Sequence, residues 1–178
     1  EQMLSSAEEP IDIHSVDGSK VNRKTLENFL KQGISGEARG FVEEYFQNVG
    51  EKNYQSFMFR QYIIMDCYLC VRTFLEELGM DLSRLPDGVA DMDMVMKERH
   101  SITALKESLI RLFEETMLLR DSQTASKYSQ VLEEARAFIR GNYAREDISL
   151  NTVAARVNIS PSYFLSLIHI SEPTRLDV

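Results

Sequence analysis

The chain has 178 residues, of which 43% are hydrophobic, and a formal net charge of −8 at pH 7. This length allows one or two small domains with a hydrophobic core. No stretch approaches the roughly 18 consecutive apolar residues of a transmembrane helix, so no membrane partner is predicted. Glycine and proline are sparse, at 8 and 4 residues, and apolar residues recur at helical spacing almost throughout. The sequence therefore predicts an all-α fold.

Residues 1–21 are expected to form an irregular N-terminal segment with a turn at Asp17-Gly18-Ser19. The first residue is not an initiator Met, and no signal segment follows it. We therefore interpret the chain as an interior slice of a longer protein.

Residues 22–125 are predicted to form a helical linker or interaction region. A first helix begins at Asn22 or Thr25 and ends at Gly33, and Ser35 is expected to cap a second helix. The run 53–78 has too many apolar residues for one stripe, so we expect a single, central and mostly buried helix. The apolar positions of that run are Phe57, Met58, Tyr62, Ile64, Met65, Leu69, Phe74, Leu75 and Leu78.

After this run Gly79 ends the helix, and Leu85-Pro86-Asp87-Gly88 is predicted to be a turn. Two further helices follow, and the polar residues 121–124 between them are the expected hinge. The first of these helices carries Ile102, Leu105, Leu109, Leu112, Phe113 and Leu119, and the second carries Tyr128, Val131, Leu132, Ala135, Phe138 and Ile139.

No group of residues in this region predicts catalysis, a metal site or a cofactor. Cys67 and Cys70 lack two further zinc ligands and lie inside a helical run, so we interpret them as buried thiols of a reducing cytoplasm. His14 and His100 are isolated in the sequence. The Asp91-x-Asp93 pair is predicted to be solvated carboxylates of a first helical turn. We expect no enzyme.

Residues 148–164 predict a helix, a tight turn and a second helix. Ser149 and Ser160 are good N-caps, and Pro161 falls at a first helical position, where its missing N–H costs nothing. Asn158 tolerates the left-handed conformation that often ends a helix. This is the layout of a DNA-reading helix-turn-helix, although a hairpin of any helical bundle has the same caps. The first helix repeats apolar residues at Leu150, Val153, Ala154 and Val157.

The stretch from Tyr128 to Phe164 resembles the start of the AraC/XylS-type DNA-binding domain. The runs Ala-Arg-Ala-Phe-Ile-Arg-Gly-Asn-Tyr, Ile-Ser-Leu-Asn-Thr-Val-Ala and Ile-Ser-Pro-Ser-Tyr-Phe carry this likeness. The resemblance implies that residues 126–164 are a truncated domain of this type, whose full form pairs two helix-turn-helix units. More weakly, the preceding region resembles the helical linker of YesN-like response regulators. That likeness rests on Leu26-Glu-Asn-Phe-Leu30, Phe59-Arg-Gln-Tyr62 and Phe74-Leu-Glu-Glu-Leu78.

These resemblances imply a fragment of a cytoplasmic bacterial transcription regulator that binds specific DNA sequences, as the output half of a two-component response regulator. Homodimerisation through the helical region is a further expected partnership. The alternative is a helical protein–protein interaction module without DNA binding. By resemblance Ser162 faces base edges, and two more reading positions fall at Leu165 and Ser166, where a non-native tail is expected to replace the family's residues. Ser160, Tyr163 and Arg156 are candidates for phosphate contacts, with cap, core edge and solvated surface as their structural alternatives.

Charge is unevenly distributed along the chain. Residues 1–125 hold 14 basic and 22 acidic side chains, whereas residues 126–164 hold 5 basic and 4 acidic ones. Nucleic-acid affinity depends on local phosphate neutralisation, so the acidic first part does not exclude DNA binding. A local net charge of +1 nevertheless predicts weak binding by this piece alone.

Residues 165–178 depart from the family pattern and resemble the translation of a sequencing-library adapter, so we expect a non-native tail. A natural C-terminal tail is the alternative. Leu167 and Ile168 are expected to fill part of the groove against the preceding helix by accident, so an extension of the second helix to about residue 170 is expected to have no biological meaning. Pro173 prevents a helix from continuing through it.

Overall fold

The computed structural model describes residues 17–98 and 101–171. Within these ranges the fold is all-α, as predicted, and contains no strand. The described residues fall into two compact units, with the boundary between Arg120 and Asp121, which we call unit 1 and unit 2. The helices are α1 Arg23–Gln32, α2 Ala38–Val49, α3 Glu51–Gln55, α4 Phe57–Glu77, α5 Met92–Glu98, α6 Ile102–Asn142, α7 Leu150–Arg156 and α8 Pro161–Ser171.

The first helix follows its local sequence signals. Asn22 is the N-cap of α1, because its side chain accepts a hydrogen bond from the Thr25 N–H at 3.2 Å. Gly33 ends α1 as predicted, and a Cβ atom there would lie 2.5 Å from the Phe29 ring. Any larger residue at position 33 would therefore clash with that ring and with the Phe29 carbonyl oxygen, which lies 2.6 Å from the same Cβ position.

The predicted start of α2 is wrong. Ser35 opens a 3₁₀ turn over Ser35–Glu37, and α2 begins only at Ala38, with no side-chain cap at Glu37. Ala38 is fully buried in the core of unit 1. Tertiary packing, rather than a local cap, therefore determines where α2 begins.

The predicted single helix over residues 53–78 is in fact two helices. Ser56 is extended, with φ −66° and ψ 122°, and its hydroxyl accepts from the Phe59 N–H at 3.4 Å as the N-cap of α4. The Arg60 guanidinium donates to the carbonyls of Tyr54 and Gln55 at 3.0 and 3.1 Å, which satisfies oxygens left free at the break. The Ser56 side chain bonds to the backbone and caps a new helix, so the preceding helix does not continue through this residue.

Helix α4 is also less buried than predicted. Its inner face lies in the core of unit 1, but four large apolar side chains on its outer face are exposed. The first part of α6 supplies a second buried face, because its inward side chains are almost completely buried. These are Leu105, Leu109, Ile110, Leu112, Phe113 and Met117.

Polar contacts join α6 to α1 and α2. The Arg120 guanidinium donates to the carbonyls of Leu30 and Gly33, at 2.7 and 2.9 Å, and so satisfies acceptors at the end of α1. Arg39 on α2 forms a bidentate pair with Glu107 on α6, at 2.6 and 2.8 Å. These contacts fix the side chains around the buried apolar face of α6.

The expected hinge at residues 121–124 is wrong, because α6 is helical through them. No glycine or proline interrupts this stretch, and its polar side chains tolerate a helix. The turn predictions hold elsewhere: Gly79 and Gly88 have φ values of +75° and +79°, which suit glycine. Every helix of the described residues is too short or too polar to span a lipid bilayer.

Replacing Leu109 by Ala should lower the free energy of unfolding by about 2–5 kcal/mol, because a fully buried side chain leaves a cavity. Leu118→Ala is the matched control on the same helix, since Leu118 is 50% exposed, and it should cost less than about 0.5 kcal/mol. Denaturant unfolding followed by circular dichroism measures both. Equal losses would contradict the assigned inner face of α6.

Asp66 on α4 is a buried carboxyl with incomplete hydrogen bonding. One oxygen lies 3.2 Å from the Arg23 guanidinium, whereas Oδ2 is buried without a partner among the described atoms. Burial raises the pKa of Asp66 above its usual value, and the attraction of Arg23 opposes that rise only in part. Folding therefore favours the protonated form of this carboxyl.

A folded-state pKa above the unfolded one stabilises the protein at low pH, and this stabilisation is lost as pH rises through the folded value. Asp66→Asn removes the titration, so the melting temperature of the wild type should fall relative to that variant between about pH 3 and pH 7. Asp87→Asn, at an exposed turn, is the control for removal of a surface carboxylate in the same unit. A wild type that gains on Asp66→Asn as pH rises would show that Arg23 outweighs burial.

Candidate nucleic-acid interface

Unit 2 contains two short helices, α7 and α8, joined by residues 157–160. Ser149 is the N-cap of α7 as predicted: its backbone is extended, and its hydroxyl accepts from the Thr152 N–H at 3.2 Å. The Thr152 hydroxyl donates to the Asp147 carbonyl at 2.9 Å. This second contact fixes the chain just before the helix.

Asn158 makes the turn between α7 and α8 possible. Its φ is +56°, and it is the only residue besides glycine with a positive φ in the described ranges. The Ile159 N–H donates to the Ala154 carbonyl at 3.1 Å, and the Asn158 N–H donates to the Ala155 carbonyl at 3.2 Å. These two bonds form a Schellman motif, which confirms the predicted left-handed end of α7.

Helix α8 begins as the sequence predicts. The Ser160 hydroxyl accepts from the Tyr163 N–H at 3.2 Å, and Pro161 is the first helical residue. The helix continues to Ser171, with Leu167 only 3% exposed and Ile168 packed against the core of unit 2. The predicted extension of this helix by Leu167 and Ile168 is therefore confirmed.

A small core supports the two helices. Ala154 is fully buried, and its lack of bulk lets neighbouring elements approach α7 closely. Ala135, on the C-terminal part of α6, belongs to the same cluster, so this part of α6 packs within unit 2. The buried members are Ala135, Val153, Ala154, Val157 and Phe164, and the partly buried members are Val131, Leu132, Phe138, Ile148, Ile159 and Ile168.

The four predicted DNA-contacting residues are all exposed. Ser160, Ser162 and Tyr163 lie together at the start of α8, and Arg156 is the last residue of α7. Tyr163 is 43% exposed. This grouping at the turn is compatible with both interpretations of the sequence, phosphate and base contacts or solvated surface.

The contact of Tyr163 with Tyr128 was not predicted. The two ring centroids lie 6.3 Å apart, and hydrogen bonding with Tyr128 raises the pKa of Tyr163. In the sequence Tyr128 was only one apolar position of a helical stripe. The hydroxyl of a tyrosine at an otherwise apolar position is the signal that the sequence offers, but no periodicity predicts which distant side chain it meets.

Most arginines of unit 2 are already paired. Arg136 and Arg140 approach Glu133 at 3.0 and 3.9 Å, and Arg145 forms a bidentate pair with Asp147. Arg156 has no acidic partner within the part of the chain that the structure describes. Arg156 is therefore the basic residue of the helix pair with its charge available to an anion.

Other chemistry-bearing residues behave as structural groups. Cys67 and Cys70 are each 1% exposed, as predicted, and burial raises the pKa of Cys70 to about 11. Asp91 accepts from the backbone N–H groups of Asp93 and Met94 at 3.0 and 3.2 Å, at the start of α5. No metal-binding cluster occurs among the described residues. The predictions for His14 and His100 fall outside those residues.

No protein-family model, curated protein or solved structure matches the chain.

Asn158→Val should weaken the turn by about 1–2 kcal/mol, because a branched side chain disfavours positive φ. Asn158→Gly should change the stability of the turn by only a few tenths of a kcal/mol. Hydrogen exchange at the Ile159 amide, which donates to Ala154, reports the difference: exchange should be about 5- to 30-fold faster in the valine variant. Equal rates in the two variants would argue against the left-handed conformation at this position.

Proposed function

We propose that the chain is a fragment of a sequence-specific, AraC-type transcription regulator, and that α7 and α8 are its DNA-facing helix-turn-helix. The observation that carries the proposal is the local build of this pair. Two serine caps and the Asn158 turn connect helices of defined length, while the first turn of α8 stays exposed. Together with the resemblance of residues 128–164, this favours DNA reading over an unspecialised hairpin.

The start of α8 has the groups that such a role requires. In this class of motif, residues near the beginning of the second helix reach base edges, and caps and backbone N–H groups meet phosphate. Ser162 is exposed one residue into α8, so it is the proposed base contact. Ser160, Tyr163 and Arg156 are the proposed phosphate contacts, since they surround it at the turn and at the end of α7.

The resemblance to YesN-like proteins further suggests a cytoplasmic response regulator in which this region follows a phosphoacceptor domain. It also implies a second helix-turn-helix about 50 residues after the first. Sequencing the uninterrupted locus from the source DNA tests this directly. A second such motif supports the regulator, whereas a stop codon soon after Phe164 favours the helical interaction module.

Residues 1–178 alone should bind DNA only in the non-specific range, at about 10⁻⁴ M or weaker, because few phosphates are neutralised. Ser162, the one proposed base contact in this piece, supplies less than the roughly 1–3 kcal/mol of base discrimination that a bidentate pair gives. Fluorescence anisotropy with the promoter of the source gene and with a scrambled duplex measures both. Sub-micromolar, sequence-dependent binding would contradict the view that this piece is insufficient.

In the full-length regulator, Arg156→Ala should weaken binding to all sequences alike and reduce the salt slope by about 1. Arg145→Ala is the matched control, because the Arg145 charge is held by Asp147 and should matter less. Ser162→Ala should instead alter base preference at one position. The phosphate role of Arg156 is wrong if its removal changes base preference.

A further inference from the structure

Tyr128 and Tyr163 connect two helices of unit 2. Their ring centroids lie 6.3 Å apart with the ring planes tilted by 60°, and a hydrogen bond joins the two side chains. Tyr128 is half-buried on α6, whereas Tyr163 is 43% exposed in the first turn of α8. The pair therefore links α6, which contributes to the core of unit 2, to the helix that is proposed to face DNA.

The backbone of Tyr163 is fixed independently of this pair. Its N–H donates to the Ser160 hydroxyl at 3.2 Å, and the next residue, Phe164, is only 4% exposed in the core of unit 2. The exposed phenol is not fixed by these contacts, because a surface side chain otherwise moves between rotamers. The contact with Tyr128 restricts that movement and directs the Tyr163 side chain.

The pair leaves one hydroxyl proton for an outside acceptor. Each phenol has a single proton and can also accept a hydrogen bond, so the bond between the two side chains uses one proton of the two. Tyrosine is among the side chains that contact DNA phosphates, and Tyr163 lies beside Ser160 and Ser162 at the start of α8. A phenol is neutral, so such a contact releases no counterion and adds nothing to the salt dependence of binding.

We propose that Tyr128 positions the Tyr163 side chain for contact with a DNA phosphate, so that the two tyrosines act as one unit. This inference rests on the proposed function of α7 and α8. Without the Tyr128 hydroxyl, the Tyr163 phenol has to be ordered when DNA binds, and the loss of that freedom lowers affinity. Tyr128 is thus a positioning residue that lies outside the helix-turn-helix itself.

A titration of residues 1–178 tests the pair without DNA. Tyr128→Phe keeps the ring and removes the hydroxyl, so the raised pKa of Tyr163 should fall toward its ordinary value of about 10. Tyr143→Phe is the matched control, because Tyr143 is 78% exposed in the same unit, and it should leave that pKa unchanged. Carbon-13 NMR of labelled tyrosine rings against pH measures the pKa, and circular dichroism verifies folding over the same range.

Binding of the full-length regulator to its promoter tests the positioning role. Tyr128→Phe and Tyr163→Phe should each weaken binding about 2- to 10-fold, as the loss of one hydrogen bond does. The double variant should bind no more weakly than Tyr163→Phe alone, because both changes remove the same contact. None of these variants removes a charge, so the salt slope should stay constant, unlike that of Arg156→Ala. Tyr143→Phe should bind like the wild type.

Non-additive losses with a constant salt slope support the inference. Additive losses overturn it, as does a Tyr128→Phe variant that binds like the wild type or leaves the pKa of Tyr163 unchanged. A wild-type regulator that binds no specific duplex overturns the proposed function and the positioning role together. The titration then still shows whether the tyrosine pair itself forms, so the two failures are distinguishable.

Discussion

Burial of one face of α6 is the interaction on which unit 1 depends. Leu105, Leu109 and Phe113 are at most 2% exposed. Burial of an apolar side chain of this size stabilises the folded state by about 1.5–3 kcal/mol relative to leaving it exposed. The surrounding polar contacts take their geometry from this packing. Arg120 can reach the end of α1, and Arg39 can meet Glu107, only because the apolar face holds α6 against those helices.

Local chemistry made the caps and turns predictable. Asn22, Ser149, Asn158 and Ser160 act within three to five residues of themselves, so their roles can be read from the sequence. The helix boundaries that were predicted wrongly, at the start of α2 and at Ser56, depend on tertiary packing as well as on local hydrogen bonds. Ser56 breaks a run whose periodicity predicted one helix, and Arg60 satisfies the carbonyls that the break leaves free.

In the candidate site, too, locally determined features could be predicted from the sequence and tertiary contacts could not. Exposure of Ser160 and Ser162 follows from their positions beside a helix start, and the buried face of α7 follows from its apolar spacing. The partner of each charge does not follow, because pairing depends on which side chains meet in the fold. Arg145 is engaged by Asp147 while Arg156 remains available, although both are arginines of the same region. The apolar excess of α4 was visible in the sequence, but not that part of it would face outward.

The two buried thiols of α4 give unit 1 a built-in reporter of opening. Cys67 and Cys70 are the only cysteines of the chain, and both are buried on the inner side of α4. A thiol reagent can therefore react only when this packing opens, so its labelling rate measures the opening equilibrium of unit 1 without any introduced probe. Unit 2 contributes no signal, which allows the cooperativity of one unit to be followed in the intact chain.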